Sequence, residues 1–306
     1  LAALGRLQAG GSTAGTSALA LAYKMARKGY IKEGINRILL ATDGDFNVGV
    51  TDTNQIKDMV KRERETGVTL STLGFGQGNF NDAMMEQIAD VGNGNYSYID
   101  SLNEARKVLV DELSSTFNTV AKDVKVQIEF NPDQVSEYRL IGYENRQLNR
   151  EDFNNDKVDA GDVGAGKSVT AIYEITPKTA APTVDALRYQ TKQEQANTKP
   201  TSKELAFLKI RYKKPNADKS ILWTQPLMMP KTITAFNSAS ESQRFSTAVA
   251  GFGQLLRQST NMGQLSYGQV AQMAQQAKGM DNTGAKAEFI QLVKNAQALA
   301  GQVQAE

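Results

Sequence analysis

The sequence predicts a multidomain chain. It begins with an α/β Rossmann-like domain with a parallel sheet over residues 1–118, continues as an antiparallel β-sandwich-like domain over 119–235, and ends in a helical region over 236–306. Three observations predict this order. Short apolar runs alternate with helical patterns up to about residue 118, the sign of βαβ units. From Lys122 apolar and polar residues alternate with a period of two and no amphipathic helix intervenes, which reads as half-buried antiparallel strands. After Ser238 the apolar residues recur at helical spacing.

In the first region, Ala9-Gly10-Gly11-Ser12-Thr13-Ala14-Gly15-Thr16-Ser17 is a small-residue loop rich in hydroxyls. It leads into a helix over Ala14–Lys28. Two apolar sets at helical spacing, Ala18/Leu21/Ala22/Met25 and Leu19/Ala22/Tyr23/Ala26, make this helix apolar nearly all round, which predicts a helix well covered against a sheet. A strand follows at Ile38–Thr42, then a charged helix near Asn54–Glu65. Next come a strand at Val68–Leu73 closed by Gly74-Phe75-Gly76, a helix near Asp82–Ala89 and a short strand at Tyr96–Ile99. The last helix starts at Ser101 with Leu102, Ala105, Leu109 and Leu113 as its apolar stripe.

In the second region Val124, Val126, Ile128 and Phe130 alternate with polar residues. Tyr138–Gly142, Ser168–Ile175, Leu205–Tyr212 and Ser220–Leu227 read the same way. Thr176–Lys203 is a polar connection, with room for an edge strand near Val184–Tyr189. In the third region, stripes at Phe245–Leu256, Tyr267–Ala277 and Phe289–Val303 predict three helices that pack on one another or on the preceding domains. Two of these helices open on capping-box patterns, Ser240…Gln243 and Ser266…Gln269.

Composition narrows the chemistry. The 306 residues are 40% hydrophobic and 22% charged, with a net charge of +2 and no dense basic block. That argues against a nucleic-acid surface. Neither cysteine nor histidine occurs, so a thiol nucleophile, a cysteine zinc site and a histidine base are excluded. Any bound metal must be held by oxygens, which points to magnesium, calcium or manganese. A metal-assisted hydrolase lacks both its base and a second carboxylate cluster, so the chain reads as non-enzymatic. Leu1 in place of an initiator Met predicts that an upstream part exists.

Two motif matches read as something other than their usual function. Gly161-Asp-Val-Gly-Ala-Gly166-Lys167-Ser168 fits the phosphate-loop pattern, but a strand follows it where the pattern needs a helix, so no nucleotide is expected. Asp152-Phe-Asn154-Asn-Asp156-Lys-Val-Asp159 opens like a calcium loop. It has Lys157 where glycine is required and Val163 where a glutamate is required, and so reads as a polar turn.

Asp43 stands out. It ends an apolar strand at the edge where open α/β sheets bind ligands, and Gly44 follows to turn the chain sharply. Alone it fits either an Asp-Gly turn or a hard-cation ligand. Thr13, at the entrance of the first helix, falls at the same end of the sheet, and the two could share one cation; Thr13 alone is equally an N-cap.

The residues Gly10-Gly11-Ser12-Thr13, the Ala-rich helix, Ile38-Leu-Leu-Ala-Thr-Asp43-Gly44 and Val68-Thr-Leu-Ser-Thr-Leu-Gly-Phe-Gly resemble the later two-thirds of a von Willebrand factor type A domain. The acidic stretch from Glu144 through Asn149-Arg-Glu-Asp-Phe-Asn to Asp162 is similar to the YfbK-type bacterial family, in which a β region and a C-terminal domain of unknown function follow the A domain. The resemblance implies a metal-ion-dependent adhesion site, with Thr13 and Asp43 as ligands from the second and third loops and Ser12, Gly44 and Asp45 nearby. The first loop, Asp-x-Ser-x-Ser, and the first strand of the fold are absent from this sequence. It therefore implies an incomplete sheet here and Mg²⁺ (or Ca²⁺ or Mn²⁺) in the complete protein, with weak or no metal binding by this chain. The implied partner is a protein with an exposed Asp or Glu, with a missing N-terminal fragment as a further partner. The implied location is periplasmic or lipid-anchored in the envelope. The alternative is a metal-independent structural module.

Overall fold

The computed structural model describes residues 6, 15–32, 34–43, 53–76, 81–112, 118–181, 183, 203–215 and 217–303. By internal contacts the chain divides into two units. The first holds residues 1–124 together with 159–167 and 212–220, and the second holds 125–158, 168–211 and 221–306.

The first unit opens with α1 (Gly15–Lys28), β1 (Arg37–Thr42), α2 (Thr53–Arg64), β2 (Thr69–Phe75), α3 (Asp82–Val91), β3 (Tyr96–Ile99) and α4 (Leu102–Arg106). The three strands form a parallel sheet in the order β1-β2-β3, with Leu40 opposite Thr72 and Leu73 opposite Ser97. One face buries the largest core cluster of this unit. Leu19 and Tyr23 of α1, Ile56 and Val60 of α2, and Met85 and Ile88 of α3 close on Leu70, with Ile38 and Leu40 packed beside them. Each helix thus presents residues three or four apart to the strands, the geometry that covers a parallel sheet.

Two expectations about these helices are corrected. Only the Leu19/Tyr23 face of α1 is buried; Ala18, Leu21 and Met25 are exposed, so the helix is not covered all round. After α4 the chain widens into a π-helical turn over Lys107–Asp111. Val108, not Leu109, packs with Leu73 and Ile99 on the second face of the sheet, three residues after Ala105, which packs beside them. Leu102, the expected start of the stripe, is 89% exposed.

The antiparallel region contains β4 (Thr119–Phe130), β5 (Val135–Ile141), β6 (Gly161–Gly164), β7 (Ile172–Pro177), β8 (Glu204–Lys213) and β9 (Ile221–Met228). They form a four-stranded sheet, β6-β4-β8-β9, and a two-stranded sheet, β5-β7. Phe130 of β4 stacks on Tyr138 of β5 and edge-on against Tyr173 of β7, with ring centroids 4.6 and 5.4 Å apart. β7 starts at Ile172, so the expected strand residues Ser168–Ala171 are not in it.

The expected inward face of β4 is also corrected. Lys125 is 4% exposed and Val126 52%. Asp123, at φ +50°, lies within a register shift between Ala121 and Val124. Such a bulge bends a strand and re-aims its side chains. The buried Lys125 ammonium is satisfied, since it donates to the carbonyls of Asn155 (2.5 Å) and Asp152 (3.2 Å).

The chain ends in α5 (Glu241–Leu256), α6 (Tyr267–Gln276) and α7 (Ala285–Val303). Ala248, Phe252, Val270, Ala274, Ile290 and Val293 form their common core, so the three stripes do pack on one another. Ser266 and Gln269 complete a reciprocal capping box, whereas at Ser240 only the side-chain acceptance from the Gln243 amide is made. The expected edge strand at Val184–Tyr189 lies outside the described residues.

Candidate functional site

The carboxyl ends of the three parallel strands converge. Thr42, the last residue of β1, is buried, and Asp43 follows it into solvent. Beside it, β2 ends at Phe75 and turns at Gly76, whose φ is +78°. A Cβ there would stand 3.5 Å from the Asp43 carbonyl oxygen and 3.8 Å from its Cβ. Glycine suits this position because its φ is in the left-handed region. The Tyr98 hydroxyl of β3 donates to the Gly76 carbonyl, so the third strand braces the same turn. Nearby in the chain, Asn81 caps α3 by accepting from the Met84 amide at 3.0 Å. Tyr96 donates to Asp82 in the first turn of that helix; burial first, then this bond, raises the Tyr96 hydroxyl far above its ordinary value.

Of the expected ligands, Asp43 is at the exposed C-terminal end of β1. Ser12, Thr13, Gly44 and Asp45 lie outside the described residues. Among the described residues, no group of three or more acidic side chains is placed to hold a metal ion. A hard cation takes six or more oxygens, and Asp43 supplies one carboxylate. The described residues therefore do not make a complete cation site.

The two motif matches resolve into structural roles. β6 covers Gly161–Gly164 and is followed by a turn, with Gly166 at φ +76° and no helix. The Lys167 ammonium pairs with Glu112 at 2.6 Å, and the Ala165 amide donates to the Asn118 carbonyl. The calcium-like stretch opens within a 3₁₀ segment over Arg150–Asn154. The Asp152 and Asn155 carbonyls hold the Lys125 ammonium, and Asp156 takes Arg211 at 3.1 Å. Protein cations thus occupy the oxygens that an ion would need.

One charged cluster was not foreseen from the sequence. Asp123 pairs with Lys213 at 2.6 Å and accepts from the Ala160 amide, while its own amide donates to Asp162. Asp159 pairs with Arg64 at 2.7 Å, and the same guanidinium donates to Asn93. Burial raises the Asp123 carboxyl, but Lys213 and the Ala160 amide outweigh it and hold the group below its ordinary value. The Asp162 carboxyl is pushed up to about 6, first by burial and then by Asp123 and Asp159, against the pull of the Asp123 amide. Asp162 is exposed as a residue; it is the carboxyl, turned toward the Asp123 amide and two like charges, that feels this environment. These residues are far apart in sequence, and no local pattern announces them.

A parallel sheet with helices, an aspartate at its carboxyl edge and an antiparallel region following in sequence define the class. Residues 1–112 match the von Willebrand factor type A domain, and residues 115–299 match the family described as the C-terminal part of uncharacterized protein YfbK. The chain belongs to this YfbK family, with an A domain preceding the family's C-terminal region. It is 56% identical over 293 residues to the uncharacterized protein YfbK of Escherichia coli strain K12, a match covering 96% of this chain and 50% of that protein. The chain therefore spans about half the length of its curated relative. Among solved structures it is similar to a von Willebrand factor type A protein from Catenulispora acidiphila, at 13% identity and a TM-score of 0.43, over 96% of this chain and 65% of that one. It is also similar to the human COPII-coat protein Sec24c, at 11% identity and a TM-score of 0.39, over 85% and 34%. No helix among the described residues is long and apolar enough to cross a membrane.

Proposed function

We propose that the complete protein is a non-enzymatic interaction module whose A domain binds a partner carboxylate through a divalent cation at the carboxyl edge of the parallel sheet. The observation that carries this reading is Asp43, exposed at the end of β1 and set against the Gly76 turn. In the full-length protein Asp43 and Thr13 would join ligands from sequence outside this chain, with Ser12, Gly44 and Asp45 alongside. Mg²⁺ suits the role because it keeps exchangeable waters that an incoming carboxylate replaces; Ca²⁺ or Mn²⁺ could serve with the same oxygen donors. The partner is a protein with an exposed Asp or Glu; neither nucleotide nor nucleic acid is implied. A segment supplying a further strand would be a second partner, one that meets the β1 edge, which has no neighbouring strand among the described residues. We place the protein outside the cytoplasm, periplasmic or anchored at the envelope, on family resemblance.

The alternative is a metal-independent scaffold of the cell envelope. Asp43→Ala in the full-length protein separates the two. The adhesion reading expects partner capture to fall on substitution and on chelation alike, while capture unchanged by both supports the scaffold. Calorimetry of the present chain with Mg²⁺ is expected to show weak or no binding.

A further inference from the structure

The outermost strand of the four-stranded sheet, β9, has an unusual surface. All six residues from Ile221 to Pro226 are exposed, including Leu222 (51%) and Trp223 (46%), and Met228 is exposed beyond them. Among the described residues β9 has a neighbour, β8, on one side only. The Met229 amide donates to the Lys203 carbonyl at 2.8 Å, which aligns the end of β9 with the start of β8. Strand alternation then directs the backbone groups of Leu222, Thr224, Pro226 and Met228 to the outer side. Pro226 has no N–H to offer there, which is where a sheet tolerates proline. The outer ladder is thus complete over Leu222–Thr224 and reduced to an acceptor at Pro226.

Charge around this edge is mainly positive, although exposed Asp218 stands beside Lys219 and half-buried Glu204 beside Lys203. No Asp or Glu occurs between Lys219 and Ser240. Exposed Lys219 precedes the strand, exposed Lys231 follows it, and exposed Lys203 lies beside its end. Long exposed apolar edges recruit additional strands, and such pairing takes affinity from main-chain hydrogen bonds and selectivity from side chains.

We propose that the β9 edge is a docking surface for an extended segment of a partner protein, apolar at alternate positions and flanked by acidic residues, pairing over Leu222–Thr224. This contact is independent of Asp43 and of any cation.

Trp223 is the one tryptophan of the chain and reports on the edge directly. The probe is a synthetic peptide of alternating Val and Thr flanked by Asp pairs, compared with the same core flanked by Lys pairs. The Asp-flanked peptide is expected to shift Trp223 emission to the blue, saturably and equally in Mg²⁺ and in chelator. The Lys-flanked peptide should bind about tenfold more weakly, the sum of a few exposed charge contacts, and added salt should narrow that gap. Thr224→Pro removes an outward N–H and should abolish the shift while far-UV circular dichroism stays native. If that variant does not fold, Lys203→Glu with Lys231→Glu should reverse the preference between peptides. Equal binding of both peptides, no emission shift with either, or a shift that follows protein concentration alone and so marks self-association would each overturn the proposal.

Discussion

Lys213 of β8 reaches Asp123 of β4 across 90 positions of sequence, with their side chains only 12% and 15% exposed. The pair sits where β4 leaves its regular register and Asp123 adopts a left-handed backbone. Removing either partner leaves a nearly buried charge alone, so Asp123→Ala or Lys213→Ala is expected to destabilise by about 2–4 kcal/mol in urea unfolding. Asp123→Asn should cost less than Asp123→Ala, because asparagine tolerates positive φ and keeps an acceptor. The double variant should cost less than the sum of the singles.

The same cluster sets two opposite pH dependences. Asp123 is held below its ordinary value, so its contribution is present above the unfolded carboxylate range and is lost as pH falls through the folded value. Asp162 is raised to about 6, so the folded state binds the extra proton. Its contribution is greatest below the unfolded value and is lost as pH rises toward about 6. Asp162→Asn is expected to flatten the fall in stability between the ordinary carboxylate range and about pH 6, and to make the protein more stable than wild type at neutral pH. Chemical denaturation across that range measures it; a variant retaining the full slope would assign the dependence elsewhere.

Tyr23 places its hydroxyl in the apolar core between α1, α2 and the sheet, where the described residues offer it no hydrogen-bond partner. Burial, and then Glu63, raise the hydroxyl far above its ordinary value, so it stays neutral. Tyr23→Phe keeps the ring and removes the unmet polar group. Thermal unfolding should show a gain of about 1 kcal/mol.

The π-helical turn makes its own prediction. Val108→Ala should cost about 2 kcal/mol, since it opens a cavity against Leu73 and Ile99. Leu102→Ala, at a position 89% exposed, should change stability by about 0.5 kcal/mol or less. The pattern of spacing alone ranks the two the other way round.

That reversal shows where the sequence is legible. The parallel strands are readable because Ile38-Leu-Leu is apolar throughout and Val68, Leu70 and Leu73 mark the second run, closed by Gly74-Phe75-Gly76. The terminal helices are readable because Phe252, Val270 and Val293 each recur within a stripe. Legibility fails at local irregularities. Within the π-helical turn Val108 is the buried position and Leu109 is not. The bulge at Asp123 precedes a stretch in which Lys125 is buried and Val126 is not. It fails again where the partner is remote, because nothing around Lys213 or Arg64 marks Asp123 or Asp159 as its counter-ion. At the candidate site, Asp43 was readable as a carboxylate ending a strand. The bracing of its neighbour Gly76 by Tyr98 was not, since it depends on the order of the strands.

The division of the chain has a consequence for how such a protein can evolve. The family boundary falls between residues 112 and 115, yet the unit that contains the A domain also takes in 159–167 and 212–220 from beyond it. Those segments carry Asp159, Lys167 and Lys213, the counter-ions of Arg64, Glu112 and Asp123. An A domain moved alone into another gene by recombination at the family boundary would leave the counter-ions of Arg64 and Glu112 behind, whereas Asp123 lies beyond that boundary together with Lys213. An exchange that keeps these two ion pairs would have to carry residues 159–167 along with the A domain.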